Sequence, residues 1–418
     1  MKMIIKLCGL VLSFTLIISI ISGCVGVNGN SSTGEQSDSK SLTLMTNDST
    51  KPGWKAYQKK IEKATGIKIN VVPTPTNPND MVAKMTTILS SGDNSVDLLF
   101  VNDELITAFS RAGYLEPLEK NVMTKDTANN FSKQYIKDIP TFNGHIYSVP
   151  SYLEILSFWV NHEILKKTGM GVPKNEKEFL DYAKEATQGK VYGYGGSWEK
   201  SYVYNEIGTF INLFGGDYFN WKNPNTQKAL KFMYNLAHKV KVTPMSQIAD
   251  IYDPMMQKFI DGKYGMIFMY TGAIPTFQQA GKFGPNKLSI EPMPKFKTND
   301  AYMASWHYVL NKSSLKKKAA IKVLKYTASK EGQIAYSEMS GRLPARLDVI
   351  NDPNFNATGL DRVRKYIKNS TLRGRPLLPQ SMEFINSIGG IFQKYVTNEI
   401  SLNEAVNQAQ KEINLLKK

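Results

Sequence analysis

The apolar residues of this chain fall into short runs whose period switches repeatedly between two and about three and a half, and this alternation predicts most of its elements. Leu42, Leu44 and Met45 open a strand over 42–47. Beyond the turn at Pro52-Gly53, the residues Trp54, Tyr57, Ile61 and Ala64 recur at helical spacing, which predicts a helix over 54–65 stopped by Gly66. A second strand is expected over 67–72. Met81, Val82, Met85, Ile88 and Leu89 mark one face of a helix over 79–90 that Gly92 ends, and 96–101 reads as a buried strand. Strands alternating with helices imply parallel pairing, with helices on both faces of the sheet.

The pattern continues past residue 170. Helices are expected over 176–186, 205–214 and 226–240, the last with Ala229, Leu230, Met233 and Leu236 on one face. A turn and strand over 188–194 ends at Gly195-Gly196, and further strands are expected over 262–270, 288–293 and 307–310. Ala319, Ala320, Val323 and Leu324 face inward on a helix over 316–329. The final helix, 401–416, starts with Ser401 and carries Glu404 three residues on, the spacing of a capping box. No repeat of solenoid type is present.

The first two dozen residues follow another logic. Met1, Lys2 and Lys6 precede an apolar run over 7–21, shorter than the ~20 residues that a bilayer core requires, and small residues follow. The order reads as an export signal. Ile21-Ser22-Gly23-Cys24 resembles the lipobox of bacterial lipoproteins, which implies cleavage before Cys24, a lipid on its thiol, and an extracytoplasmic location for everything from Val25 on; an ordinary secretory signal is the alternative. Residues 24–41 are rich in Gly, Ser, Asn and Gln and read as a flexible tether.

With 418 residues, 42% of them apolar, the chain suggests two lobes rather than one domain. Its two cysteines, Cys8 and Cys24, both lie at or before the cleavage point, so the folded part has no thiol for a disulfide, a zinc–thiolate site or a nucleophile. The formal charge is +16, and losing Lys2 and Lys6 with the signal leaves +14. The basic residues are dispersed and no nucleic-acid motif accompanies them, so a positive surface facing anionic lipid and wall polymer explains the charge better than nucleic acid does.

Several segments in order resemble the family 1 extracellular solute-binding proteins of the maltodextrin-binding type: 65–69 (Thr-Gly-Ile-Lys-Ile), 95–99 (Ser-Val-Asp-Leu-Leu), 112–118 (Ala-Gly-Tyr-Leu-Glu-Pro-Leu), 143–150 (Asn-Gly-His-Ile-Tyr-Ser-Val-Pro), 158–161, 259–266 and 341–346 (Gly-Arg-Leu-Pro-Ala-Arg). Each motif alone is weak, and their order together with a lipobox is strong. The resemblance implies an α/β fold of two lobes, the type II periplasmic-binding-protein fold, with hinge segments near Pro150, Tyr302 and Pro344 and a cleft between the lobes. It divides the chain into a signal (1–23), a tether (24–41), a first lobe (42–150 with 301–345) and a second lobe (151–300 with 346–418). The implied protein is a lipid-anchored monomer on the outer face of the cell membrane that captures a carbohydrate, expected to be an oligosaccharide, and passes it to the permease subunits of an ABC importer. A polyamine or peptide is the alternative solute, and a surface-anchored polysaccharide enzyme is the alternative outside binding proteins.

Catalytic signatures are missing from the sequence: no Gly-x-Ser-x-Gly elbow, no phosphate loop, and four single histidines without metal-site spacing. No cofactor or metal is expected. Asp352, Asn354 and Asn356 begin a calcium-loop pattern that Ala357 and Val363 break. Glu104, Glu154 and Asp253 are the carboxylates that a glycosidase reading would use. A saccharide site wants aromatic platforms and hydrogen-bonding rims. By the resemblance, the rings of Tyr152, Trp198, Tyr270 and Trp306 fall where the family places such contacts, while Trp54 and Trp221 read as packing. Parallel sheets open the carboxyl ends of their strands to ligand, which adds Asn47 and Asp48 after the first strand and Asn102, Asp103 and Glu104 after the third. Arg342 and Arg346 flank Leu343-Pro344 and either bind ligand or brace the hinge.

Overall fold

The computed structural model describes residues 39–75 and 78–417. The signal, Cys24 and nearly all of the tether lie outside the described residues. Alternation in the first strands sets up two cores at once. Leu98 and Phe100 pack on one side of their sheet with Leu42, Leu44, Trp54, Tyr57 and Ile61, while Leu99 and Val101 pack on the other with Met45, Met85 and Leu89. Both faces are therefore covered, as strand–helix alternation requires. The helix Trp54–Thr65 spans the residues expected, and Gly66 ends it in the left-handed conformation (φ 69°), with its N–H donated to the carbonyl of Glu62. The capping box at Ser401 and Glu404 is formed.

The first sheet has five strands in the order Lys68–Pro73, Ser41–Thr46, Leu98–Asn102, Trp306–Leu310, Ser148–Pro150. The three that come first in the chain pair in parallel, and the two later arrivals join antiparallel. The parallel pairing expected of the first three strands is present, and the sheet as a whole is mixed because Trp306–Leu310 returns from the second lobe instead of through a crossover helix. The second sheet is built around the ten-residue strand Tyr152–Asn161, which pairs with Tyr264–Tyr270, Leu288–Glu291, Ala301–Ala304 and Leu343–Pro344.

Two chain crossings run side by side between the sheets. Ser148–Pro150 passes through Ser151 into Tyr152–Asn161, and Ala301–Ala304 passes through Ser305 into Trp306–Leu310. They are stitched together by the Ser151 N–H donating to the Trp306 carbonyl at 2.9 Å and the Tyr152 N–H donating to Ser305 Oγ at 3.4 Å. Ala301–Ala304 thus lies in the second sheet, and the second crossing falls at Ser305, close to the expected position near Tyr302. The residues from 301 to 304 are paired to Tyr152–Asn161 on one side and Leu372–Gly374 on the other.

Among the helices with no counterpart in the periodicity reading are Lys330–Ser340, Leu360–Lys368 and Ser381–Val396. The last carries Gly389-Gly390 in its middle, which lowers its intrinsic helicity. Gly389 is needed there, since a Cβ at that position would come within 1.8 Å of the Lys200 carbonyl oxygen. Tertiary contact, through buried Phe384, Ile385, Ile388 and Phe392, holds this helix in place of local propensity. Among the described residues, no helix is long and apolar enough to cross a membrane.

Candidate functional site

The ends of both sheets converge on a cavity of about 420 Å³ beside the crossings. The first lobe contributes Asn102 at the carboxyl end of the strand Leu98–Asn102, Asp103 and Glu104 on the short 3-10 turn Asp103–Leu105 that follows it, and Trp306. The second contributes Glu154, Tyr202, Tyr252, Asp253, Tyr270 and Arg375; Arg342 enters just before the strand Leu343–Pro344. The Asp103 N–H donates to the Ser305 carbonyl at 3.2 Å, which ties the acidic turn to the crossing.

Arg375 is the centre of the polar wall. It follows the strand Leu372–Gly374, its side chain is 9% exposed, and it reaches both acids of the opposite lobe. One guanidinium nitrogen meets Glu104 Oε1 at 2.7 Å, and two others meet the two oxygens of Asp103. It also bonds the Tyr204 hydroxyl, which donates to Glu104 Oε1 at 3.1 Å. Burial pushes the Asp103 carboxyl up to about 6, and the charge and hydrogen bonds of Arg375 pull against that rise. The two-pronged contact with Arg375 favours the anion of Asp103.

A second ion pair lines the same cavity. Arg342 pairs with Glu154 and lies over the Tyr152 ring, 4.4 Å from its centroid. Gly272 lets Glu154 in, since a Cβ there would lie 2.1 Å from Glu154 Oε1. Behind this layer Tyr152 stacks on Tyr336 with the planes 6° apart, and the Tyr336 hydroxyl donates to Asp48 Oδ2 at 2.6 Å. The aromatic wall is equally fixed: Tyr270 donates to Asn205 Oδ1 at 3.0 Å, Asn205 Nδ2 donates to the Tyr252 hydroxyl at 2.9 Å, and Tyr202 meets Tyr252 edge-on at 4.7 Å. Trp306 leans on Phe100, ring centroids 5.4 Å apart, and is only partly buried.

Five of the ten ligand residues expected from the sequence line this cavity: Asn102, Asp103, Glu104, Tyr270 and Trp306. The others stand elsewhere. Trp198 is fully buried in the second lobe, edge-on to Phe392 at 5.4 Å, with its Nε1–H donated to Glu206 at 3.0 Å; the unforeseen helix Ser381–Val396 is what covers it. The Tyr152 ring is under the Arg342 guanidinium. Asp48 is buried and held by Tyr336 and by Lys51 at 2.5 Å, and neither it nor Asn47 reaches the cavity lining. Arg346 braces its own segment, bonded to Asp348 at 2.7 Å and to the Ala328 carbonyl at 2.9 Å. Arg375, Tyr202 and Tyr252 line the cavity without having been expected there, and the one local pattern among them, Arg373-Gly374-Arg375 at the end of a short strand, is too common to point at a cleft.

The histidines are satisfied singly. His307 sits between the Tyr135 hydroxyl at 2.8 Å and Ser148 Oγ at 2.9 Å, and burial pushes its pKa down to about 3. His145 pairs with Glu119, His162 with Glu291, and His238 with the Val396 carbonyl. Among the described residues no group of three or more His, Cys, Asp or Glu is gathered for a metal.

The sequence pattern of the bacterial extracellular solute-binding proteins matches residues 56–360. An uncharacterized ABC transporter extracellular-binding protein of Pyrococcus horikoshii is 24% identical, over 99% of this chain and 96% of its own length. The fold matches maltose-bound MalE3 of T. maritima with a TM-score of 0.73, at 20% identity, covering 90% of this chain and 99% of that one. It matches a solute-binding protein of Thermotoga lettingae bound with α-D-tagatose at 0.75 and 23% identity, covering 91% and 100%. An ABC substrate-binding protein of Listeria monocytogenes in complex with cycloalternan matches at 0.74 and 20% identity, covering 90% and 99%. With the family pattern spanning well over half of the sequence and the two-lobe fold around a cleft, this chain belongs to the bacterial extracellular solute-binding protein family, the non-enzymatic capture subunits of ABC importers.

Proposed function

We propose that the chain captures an oligosaccharide between its lobes and hands it to an ABC permease, while anchored through Cys24 to the outer face of the membrane as a monomer. The observation that carries this reading is the composition of the cavity: one partly exposed tryptophan ring among carboxylate, amide and guanidinium groups already fixed by their own hydrogen bonds. A pyranose ring has an apolar face that stacks on such a platform and a rim of hydroxyls that such groups bind. Asn102 adds to this: its Oδ1 is buried without a partner, an acceptor awaiting a donor. Fold neighbours captured with maltose, cycloalternan and tagatose lend the sugar reading further support.

Trp306 is the stacking platform in this reading, and Asn102, Asp103, Glu104 and Tyr270 are rim contacts. The lobes comprise 42–150 with 305–345 and 151–304 with 346–418, and rotation at Ser151, Ser305 and the 343–344 strand closes them. An amine-bearing solute such as a polyamine is the second reading, favoured by the four carboxylates of the lining. Calorimetric titration against malto-, xylo- and manno-oligosaccharides and spermidine tests the assignment. Micromolar or tighter binding of a glycan is expected, and binding of spermidine with no glycan binding would replace the sugar by the amine. For the anchor, Cys24→Ser should release the protein from the membrane in soluble form, and a parent protein that incorporates no labelled fatty acid overturns it.

A further inference from the structure

The cavity has a charge opposite to that of the chain around it. Its lining holds four carboxylates, Asp103, Glu104, Glu154 and Asp253, against two guanidiniums, Arg342 and Arg375, and no lysine or histidine appears among the described lining residues. The chain as a whole carries +16. Both guanidiniums are engaged: Arg375 with Asp103 and Glu104, Arg342 with Glu154. An incoming anion would therefore have to break an ion pair whose acid is buried or half-buried, with side-chain exposures of 0% for Asp103, 14% for Glu104 and 17% for Glu154. Freeing such an acid leaves a desolvated charge without a partner. At the amino end of the helix Tyr252–Ile260, the positive end of the dipole is met by Asp253 in its own first turn.

We infer that the cleft selects its solute by charge, admitting neutral or amine-bearing solutes and turning away those that carry carboxylate or phosphate groups. The inference rests on the reading of this cleft as the ligand site, yet the field inside the cleft is measurable without any ligand. Trp306 is the reporter: Trp54, Trp159, Trp198 and Trp221 are all 2% exposed or less, so Trp306 alone of the five tryptophans meets solvent. A negative cleft concentrates cations and excludes anions at that ring.

The experiment is collisional quenching of tryptophan fluorescence in the full chain bearing Cys24→Ser, at low salt, with caesium and with iodide, each scaled to its quenching of free tryptophan amide. Caesium is expected to quench better than iodide despite the positive chain. Trp306→Phe should abolish the difference by removing the accessible ring. Asp253→Asn, at an exposed position, should narrow the difference without unfolding the protein. Iodide quenching that equals or exceeds caesium quenching overturns the inference. In parallel titrations, oligogalacturonates should bind at least about 100-fold more weakly than neutral oligosaccharides of equal length, a difference of about 3 kcal/mol. Tighter binding of an oligogalacturonate refutes charge selection while leaving the sugar reading intact. Binding of spermidine with no glycan does the reverse.

Discussion

Arg375 and Asp103 are 272 residues apart in sequence and meet across the two lobes in a two-pronged ion pair. Asp103 has no exposed side-chain surface and Arg375 has 9%, so the pair is screened from water and each member depends on the other. Removing one partner of such a pair costs about 3–5 kcal/mol, because the survivor stays buried and uncompensated. Arg375→Met should therefore destabilise the protein by an amount in that range. Adding Asp103→Asn should restore part of it, giving a coupling of about 1–3 kcal/mol in a denaturant double-mutant cycle. Strict additivity would mean that the pair does not form in the empty protein.

The two tryptophans expected at the ligand should part company. Trp306→Ala loses one stacked ring face, on the order of 1–3 kcal/mol of binding, or a tenfold or larger rise in the dissociation constant. Its contact with Phe100 adds a modest loss of stability. Trp198→Ala instead empties a core site and breaks the bond to Glu206, at a cost of about 3–5 kcal/mol in folding. Thermal melts and titrations of both variants decide this, and a Trp306 variant that binds normally while melting many degrees lower would move that ring from the site to the core.

Glu206 gives the protein a pH dependence with a definite sign. Burial pushes its carboxyl up to about 7 from an ordinary 4.5, outweighing the donors Tyr194, Ser197 N–H and Trp198 that favour the anion. The folded state thus holds its proton where the unfolded state has lost it. Stability from this group is complete below pH 4.5 and is lost as pH rises to about 7, a decline on the order of 3 kcal/mol. Melts from pH 4.5 to 7.5 should show a steeper decline in the parent than in Glu206→Gln, which keeps the contribution of the raised Asp103 carboxyl. Equal slopes would place the Glu206 pKa near its ordinary value.

Closure on ligand is the fourth expectation. A solute held between lobes favours the closed arrangement only through contacts it makes with both. Small-angle scattering of the Cys24→Ser protein should therefore show a smaller radius of gyration at saturation with whichever glycan the titrations identify. An unchanged profile with bound glycan would remove hinge rotation from the mechanism.

Much of the molecule was determined by sequence alone, because the signals involved are local. The period of Trp54, Tyr57 and Ile61 predicts a helix with one buried face, Gly66 supplies its left-handed stop, and Ser401 with Glu404 writes the last helix start in four residues. The lining position of Asn102, Asp103 and Glu104 is legible too, since a strand that ends in a parallel sheet offers its next loop to the cleft. What the sequence could not supply are relationships between distant segments. Trp198 and Trp306 are the same residue type in similar strand-end settings, and only the packing of Ser381–Val396 over the first makes it core. Ala301–Ala304 looks like any short strand until the edges available to it are known. Arg375 sits in a loop with no periodicity, and its role comes from two acids that precede it by more than 270 residues. Burial and ion pairing are properties of what surrounds a side chain, and in a fold whose chain crosses between lobes, those surroundings are assembled only in three dimensions.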